Sequence, residues 1–448
     1  MDNQTEKTVT DVKNIYKLDG RVPIAKAIPF GLQHVLAMFV ANLAPISIIA
    51  GAAQPEIAQA QMGMIIQDAM FVAGLATLIQ LYPIWRIGSK LPIVMGVSFT
   101  FATILSVIAA NYGYPAVIGA VLAGGIFEGT LGLLVKKLAK YIKPIVSATV
   151  VCGIGLSLFT VGVRSYGGGY TEDFGSAKNL IVATVTLIVS LIWMVKMKGY
   201  LRALSVLVAM IVGYILAAIL GMVDVSTILD GKIISLPHFM MFVPEFKIGA
   251  IISVMIIFLV SAAETIGDTS AMVSGGLGRE VTDSEISGSI AADGYMSAVS
   301  SLFGCPPVTS FSQNVGLIAI TKVVNRFTIM TGAAILMLAG CFPLIGNFFA
   351  SMPQAVLGGC TIMMFGQILL SGMQMIGNCG FTRKNMTIAA LSLSLGVGST
   401  AASESDIWHI FPQIVQDVFA ANVVAVVFVT ALILSYALPD KMDEEYNQ

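Results

Sequence analysis

The chain has 448 residues, of which 56% are hydrophobic and only 11% are charged, with 24 Lys and Arg against 25 Asp and Glu. Because about 25% of the residues in a typical soluble domain are charged, this composition excludes a soluble enzyme. The near-zero net charge excludes a basic nucleic-acid-binding face, and the five scattered cysteines, without a CxxC pair, predict neither a disulfide framework nor a metal site.

Membrane-spanning segments are delimited by the gaps between charged residues, because a helix needs about 20 mostly apolar residues to cross the hydrocarbon core of a bilayer. The stretch 179–195 fits one crossing, and the charge-free stretch 327–382 fits two. We therefore expect an all-α polytopic membrane protein. Fourteen segments are predicted, numbered in chain order: 29–50, 62–82, 92–109, 115–135, 143–163, 179–195, 203–222, 247–273, 286–303, 308–324, 327–346, 353–377, 385–399 and 413–438.

Segments 3 and 10 differ from the others because they are short and contain Pro with clusters of Ser and Thr. They share a pattern, VSFT at 97–100 and TSFS at 309–312, and each is predicted to be part extended strand and part helix. Irregular backbone at membrane depth must be covered by protein or line a cavity. The two segments are seven apart, which favours two inverted repeats of seven with a binding site at the midplane. The alternative is a pair of Pro-kinked helices that only pack.

The distribution of positive charge indicates the orientation. With both termini in the cytoplasm, 20 of the 24 Lys and Arg fall on the inner side and 4 on the outer side. Residues 1–26 are polar and mixed in charge, which is typical of a cytoplasmic tail and not of a cleavable signal sequence.

Ionisable residues inside the segments are candidates for function, because each is costly in lipid unless it is paired or hydrated. Glu264 and Asp268 are four residues apart in segment 8, so a helix places both on one face. Two such carboxyl groups favour holding one proton between them, as a proton-coupled carrier requires. The alternative is that Asp268 lies near the cytoplasmic end and meets water. The complete set is His34, Asp68, Glu128, Glu264, Asp268 and Asp293.

The other members of this set are predicted to act mainly between helices. Asp293 lies beside a glycine in segment 9 and is expected to hydrogen-bond a neighbouring helix near the site. His34 either relays protons or cross-links helices, and the structural role is favoured. Asp68 and Glu128 are expected to cap or tether helices without contacting substrate. Two further histidines are predicted to be solvated in outer loops: His238 and His409.

A run in segment 10, QNVGLIAITK at 313–322, is the strongest local signal. Gln and Asn side chains offer paired donors and acceptors, which suit a planar heterocycle with alternating N–H and C=O groups. The run resembles the signature of the nucleobase–ascorbate transporters: Gln, Glu or Pro, then Asn-x-Gly-x-x-x-x-Thr, then Arg, Lys or Gly. Taken with the acids and the two interrupted segments, the resemblance extends over residues 25–440.

This resemblance implies an architecture and a mechanism. Family members have fourteen spans in two inverted repeats of seven and work as homodimers by elevator-type alternating access, with H⁺ as the coupling ion and no cofactor. A core domain, segments 1–4 and 8–11, holds the substrate, and a gate domain, segments 5–7 and 12–14, forms the barrier. The implied divisions are 1–28 (cytoplasmic tail), 29–140 (core), 141–246 (gate), 247–347 (core), 348–440 (gate) and 441–448 (cytoplasmic tail).

The resemblance also implies roles for individual residues. Glu264 would hydrogen-bond the base, Gln313 would bind its other edge, and Phe99 would stack on its ring. Ser98 stands where some purine carriers have Asn. The remaining implied residues shape the site or support it and the proton path: Asn314, Asp268, Asp293 and His34.

The implied function is proton-coupled uptake of an oxidised purine, xanthine or uric acid, across the cytoplasmic membrane, because in this family Gln at the first signature position accompanies purines. A uracil–proton symporter is the alternative, and an anion transporter of the same architecture is a further one. A membrane enzyme is not indicated, since the sequence has three widely spaced His and no HExxH motif.

Overall fold

The computed structural model of the chain describes residues 11–134, 142–198, 200–223, 228, 233–401, 408–420, 422–439 and 442. The first ten residues of the predicted N-terminal tail lie outside the described residues. So does the predicted C-terminal tail apart from residue 442.

The described chain is mainly helical. Its main elements are α1 (Ile24–Gly51), α2 (Gln59–Leu81), β1 (Met95–Val97), α3 (Ala102–Tyr112), α4 (Tyr114–Leu134), α5 (Pro144–Tyr166), α6 (Ala177–Lys196), α7 (Ser205–Ile219), α8 (Ile248–Met272), α9 (Asp283–Leu302), β2 (Val308–Ser310), α10 (Ser312–Thr321), α11 (Arg326–Ala339), α12 (Pro343–Ala350), α13 (Gln354–Asn378), α14 (Arg383–Ala401), α15 (Gln413–Phe419) and α16 (Val423–Ala437). A 3-10 turn at Phe99–Phe101 leads into α3, and a π-helical turn at Val273–Leu277 extends α8. Helices α1 to α11 correspond to predicted segments 1 to 11.

The outer surface of several helices is apolar, as lipid exposure requires. Val195 on α6 and Ile219 on α7 are 71% and 75% exposed. Among the described residues, seven helices are long and apolar enough to cross a membrane, or eight if α11 and α12 count as one bent span. The chain is therefore a polytopic helical membrane protein, while the fourteen inverted-repeat segments stay a prediction.

Three predicted segments differ in detail from the helices of the structure. Helix α1 begins at Ile24, before the predicted start of segment 1 at residue 29, because Pro29 is accommodated within the helix. Predicted segment 11 is not one straight helix: α11 and α12 meet at 78°, since Gly340 ends the first and Pro343 begins the second. Predicted segment 14 is likewise divided into α15 and α16, and the side chain of Asn422 caps the second.

The extended strands predicted in segments 3 and 10 are present as β1 and β2, and the two strands pair with each other. They are antiparallel, with Met95 opposite Ser310 and Val97 opposite Val308. All six residues of the pair are buried. Gly96 leaves no room for a side chain here, because a Cβ atom on it would lie 2.8 Å from Asn42 Oδ1 and 2.9 Å from the ring of Phe311. Since each strand runs directly into a helix, the N-termini of α3 and α10 both lie next to the strand pair.

The loop before α8 is tied to α2 by an acid inside the membrane region. The backbone N–H of His238 donates to both carboxylate oxygens of Asp68, at 3.1 and 3.0 Å, and its Nδ1 lies 3.2 Å from Oδ1. The Asp68 side chain is fully buried and that of His238 is 28% exposed. The tethering prediction for Asp68 is confirmed. The prediction of a merely solvated His238 is wrong, because the buried carboxylate requires donors; His409 is exposed as expected.

Asp68→Ala is expected to destabilise the protein by about 2–4 kcal/mol, because it leaves the His238 N–H without its acceptor. The measurement is the thermal unfolding temperature of the detergent-purified protein. His238→Gln is the matched control, expected to cost less, since the backbone N–H and the carboxylate remain. Equal unfolding temperatures for Asp68→Ala and the unaltered protein would contradict this tether.

Candidate functional site

A narrow cavity of about 60 Å³ lies where the strand pair meets α8, α5 and α13. Four of the predicted site residues line it: Ser98, Phe99, Glu264 and Gln313. The other four, Asn314, Asp268, Asp293 and His34, are not among its lining residues. They lie behind the wall, where they hold the lining segments in place.

Glu264 on α8 faces the first interrupted segment. Its Oε2 accepts a hydrogen bond from Thr100 Oγ1 at 2.6 Å, and Thr100 itself lines the cavity. Thr100 belongs to the 3-10 turn that leads into α3, and the Ser98 hydroxyl caps this turn by accepting from the Thr100 N–H. No role was predicted for Thr100 from the sequence, although the residue is part of the VSFT pattern.

Asp268, one turn further along α8, faces the second interrupted segment. Its Oδ2 accepts hydrogen bonds from Ser310 Oγ and Ser312 Oγ, both at 2.9 Å. It does not simply meet water, so that alternative is wrong. Glu264 and Asp268 therefore lie on the same face of α8 but contact different segments. Glu264 bonds to segment 3, and Asp268 bonds to segment 10. Both serines were part of the TSFS pattern, but no role was predicted for them.

Asp293 on α9 is the most heavily bonded acid of the site. It is fully buried and accepts hydrogen bonds from the Thr265 hydroxyl, from the Ser310 N–H at 3.3 Å and from Gln80 Nε2 at 3.5 Å. These donors come from α8, β2 and α2. The prediction of a helix-to-helix hydrogen bond by Asp293 is confirmed.

His34 and Asn314 form a second buried contact behind the cavity. Asn314 Nδ2 donates to the His34 carbonyl oxygen at 3.0 Å and lies 3.2 Å from His34 Nδ1. Both residues are at most 2% exposed. The cross-linking role favoured for His34 matches this contact, and Asn314 shapes the site by fixing α10 against α1.

The lining of the cavity suits a flat polar ring. The carboxylate of Glu264 and the amide of Gln313 both face it, and the Gln313 side chain makes no hydrogen bond to any other described residue. The ring of Phe99 packs edge-on against Phe365 of α13, with centroids 5.1 Å apart. Apolar side chains such as Ile154 on α5 close the remaining wall. Within the described residues, no group of three His, Cys, Asp or Glu could hold a metal ion.

The surroundings of the cavity differ on its two sides. Towards the end of α8, a second pocket of about 700 Å³, here called the vestibule, is lined by Ile266 and Gly267 and reaches Lys143 and Asn385. On the opposite side, Gln354 of α13 donates through Nε2 to the carbonyl oxygen of Ser47 on α1, at 3.1 Å. This hydrogen bond borders a separate pocket of about 300 Å³.

Comparison with known proteins gives consistent matches over nearly the whole chain. A sequence model described as "Permease family" matches residues 25–405. The chain is 32% identical to the xanthine permease XanQ of Escherichia coli strain K12, covering 96% of this chain and 95% of that protein. It is also 32% identical to the uric acid permease PucJ of Bacillus subtilis strain 168, covering 84% and 85%.

Solved structures of two transporters share the fold. The transmembrane domain of a cyanobacterium bicarbonate transporter, BicA, matches with a TM-score of 0.58 at 16% identity, covering 92% of this chain and 96% of that one. The murine Slc26a9 anion transporter in the inward-facing state matches with a TM-score of 0.61 at 11% identity, covering 95% and 70%. At these identities the likeness establishes the fold alone.

Proposed function

Because the chain belongs to the nucleobase–ascorbate transporter family of permeases, we propose that it carries an oxidised purine, xanthine or uric acid, into the cell together with a proton. One observation supports this proposal above the others: the Glu264 carboxyl and the unpaired Gln313 amide line the same cavity beside the Phe99 ring. A carboxylate accepts from ring N–H groups, whereas an amide both donates and accepts. An oxidised purine presents both kinds of group.

Proton coupling is supported by the acids around the cavity. Glu264, Asp268 and Asp293 receive hydrogen bonds from hydroxyl, amide and backbone donors, and within the described part of the chain no Lys or Arg forms an ion pair with them. Buried carboxylates without cations cannot all be ionised in a low-dielectric interior without a large cost. In the proposed cycle Glu264, which faces the substrate, takes up the proton. One charge moving through 100 mV supplies about 2.3 kcal/mol for concentrating a neutral base.

Elevator-type alternating access is supported by the way the cavity is divided. Of the residues that line the cavity, Glu264 and Gln313 belong to the proposed core domain, whereas Ile154 and Ile368 belong to the proposed gate domain. The Gln354–Ser47 hydrogen bond joins the two proposed domains on one side, and the larger vestibule lies on the other. With both termini in the cytoplasm, the vestibule would be the inward exit. A homodimer formed through the gate domains completes the proposal.

Competition for uptake tests the substrate class. Purified protein in liposomes takes up radiolabelled xanthine in the presence of an excess of unlabelled xanthine, uric acid, uracil or bicarbonate. We expect xanthine and uric acid to compete and bicarbonate to have no effect. Stronger competition by uracil would favour the uracil–proton symporter, and competition by bicarbonate alone would contradict nucleobase transport.

A further inference from the structure

The loop that precedes α8 carries a dense set of exposed hydrophobic side chains. Within residues 233–246, here called the apolar loop, six of the fourteen residues are large hydrophobics that are at least 60% exposed. Single exposed hydrophobic residues are normal on a protein surface, whereas a contiguous apolar patch indicates a surface that binds something. The six residues are Ile233, Ile234, Leu236, Phe239, Val243 and Phe246.

The backbone of the apolar loop is fixed, so these side chains cannot simply turn inward. The Ser235 N–H donates to the carbonyl oxygen of Cys341, between α11 and α12, at 3.0 Å. The Met240 N–H donates to the carbonyl oxygen of Leu302 on α9 at 2.7 Å, and the Glu245 N–H donates to a carbonyl oxygen in the first turn of α4 at 3.0 Å. With the tether to α2, the loop is attached at four points along its length.

One side of the apolar loop packs on protein and the other side is left bare. The ring of Phe242 packs against that of Tyr114 on α4, with centroids 4.8 Å apart. A Cβ atom on Gly304 would lie 3.1 Å from the Phe242 ring, so this side chain fills the space beneath the loop. The ring of Phe239 contacts Phe303, with centroids 5.7 Å apart, and is nevertheless 63% exposed. The protein therefore supplies only part of the cover that these side chains need.

The bare side of the apolar loop is continuous with surface that faces lipid. Directly after the loop, Ile248 begins α8, a helix long and apolar enough to cross a membrane, and its side chain is exposed. Leu338 on α11 and Leu344 on α12 precede and follow the Cys341 attachment point in sequence, and both are exposed. Because lipid covers the exposed apolar side chains of membrane-spanning helices, it is also the medium next to the loop.

The chemistry of the apolar loop fits the lipid interface and not the hydrocarbon core. Irregular backbone does not occur in contact with acyl chains at the centre of a bilayer. The loop also contains an exposed acid, Glu245, which forms an ion pair with Lys247 at 3.4 Å. Large apolar side chains beside charged ones are typical of the boundary between lipid headgroups and acyl chains.

We propose that the apolar loop is a membrane anchor, which inserts the side chains of Leu236, Phe239 and Val243 into the interfacial layer of the phospholipid. With both termini in the cytoplasm, this is the outer leaflet. The four attachment points lie on or next to α2, α4, α9 and α11, all in the proposed core domain, so the anchor belongs to the part of the chain that holds the substrate site. The inference goes beyond the proposed function and does not depend on which base is carried.

Phe239→Trp tests this position, because brominated lipid quenches Trp fluorescence on contact. The full-length variant and the unaltered protein are reconstituted in phosphatidylcholine liposomes with bromine near the glycerol end or near the methyl end of the acyl chains. The difference between the two proteins gives the signal of the added Trp. Glu172→Trp is the matched control, since Glu172 is exposed in the polar loop between α5 and α6. We expect bromine near the glycerol end to quench the added Trp of Phe239→Trp at least about twofold more than that of Glu172→Trp.

Iodide on both sides of the membrane distinguishes lipid from water and from protein. An anchored loop requires strong quenching of Phe239→Trp by lipid bromine and weak quenching by iodide, with the reverse for Glu172→Trp. Equal quenching of the two variants by iodide would overturn the anchor, because the loop would then lie in water. Protection of Phe239→Trp from both quenchers would also overturn it, since a second copy of the chain or another protein would then cover the loop.

A second variant keeps the test decisive if Phe239→Trp fails to fold, because the Phe239 ring contacts Phe303. Val243→Trp replaces a side chain that is 73% exposed on the bare side of the loop. We expect the same pattern, with the strongest quenching from bromine near the glycerol end and little from iodide. Stronger quenching of Val243→Trp by iodide than by either brominated lipid would overturn the anchor.

Discussion

Glu264→Gln is expected to abolish proton-driven accumulation of the base and also to weaken its binding. The amide cannot carry a proton, and it replaces a carboxylate that accepts from Thr100 at 2.6 Å and faces the cavity. Loss of a charge-assisted hydrogen bond to the base costs about 1.5–3 kcal/mol, which corresponds to roughly 10- to 150-fold in apparent affinity. Uptake with and without an imposed pH gradient gives the coupling, and competition by unlabelled base gives the affinity.

The control for Glu264→Gln is Thr100→Val, which removes the donor and leaves the carboxyl group. We expect weaker binding in Thr100→Val with accumulation still responsive to the pH gradient. Full gradient-driven accumulation by Glu264→Gln would show that Glu264 is not the entry point for the proton.

Gln313→Glu is expected to lower the apparent affinity for xanthine by about 1–3 kcal/mol, or roughly 5- to 150-fold, and to lower that for uracil less. A carboxylate can only accept, so the donor that the Gln313 amide offers to the purine would be lost. The carboxylate would also add a negative charge to a cavity that already contains Glu264. Inhibition of labelled xanthine uptake by each unlabelled base provides the measurement.

Gln367→Glu on α13 is a suitable comparison for Gln313→Glu. Gln367 does not line the cavity, and its amide contacts the sulfur of Met194 on α6. The same chemical change at this position should leave the order of competing bases unaltered. An unaltered order of competition in Gln313→Glu as well would contradict the assignment of Gln313 to substrate recognition.

Most of the hydrogen-bond partners of the acids could not be predicted from the sequence. Spacing alone placed Glu264 and Asp268 on one helix face and identified segments 3 and 10 as interrupted. It could not tell that Asp268 bonds Ser310 and Ser312, because the three residues come together only after α8 and β2 have docked. For the same reason the alternative of a solvated Asp268 could not be excluded in advance.

The surroundings of Glu128 show the same limit more clearly. In sequence, Asp68 and Glu128 look alike, as single acids without a companion motif in apolar segments. The structure separates them, since Asp68 receives the backbone N–H of His238 whereas Glu128 receives no hydrogen bond from a described residue. That difference arises from which helices pack against each acid, and the helix partners are not encoded in the local pattern.

The sequence by itself determined the class of the protein, the approximate position of most spans and the strand–helix form of segments 3 and 10. These features depend on short stretches of sequence. One is the number of uncharged residues between two charged ones, which must be large enough to cross a bilayer, and the other is the effect of Pro on the local backbone. Only the tertiary structure decided the 78° bend between α11 and α12 and the pairing of β1 with β2. It also decided which acids receive hydrogen bonds from other segments and which do not. The physical reason is that hydrogen bonds and burial depend on contacts between segments that lie far apart in the chain.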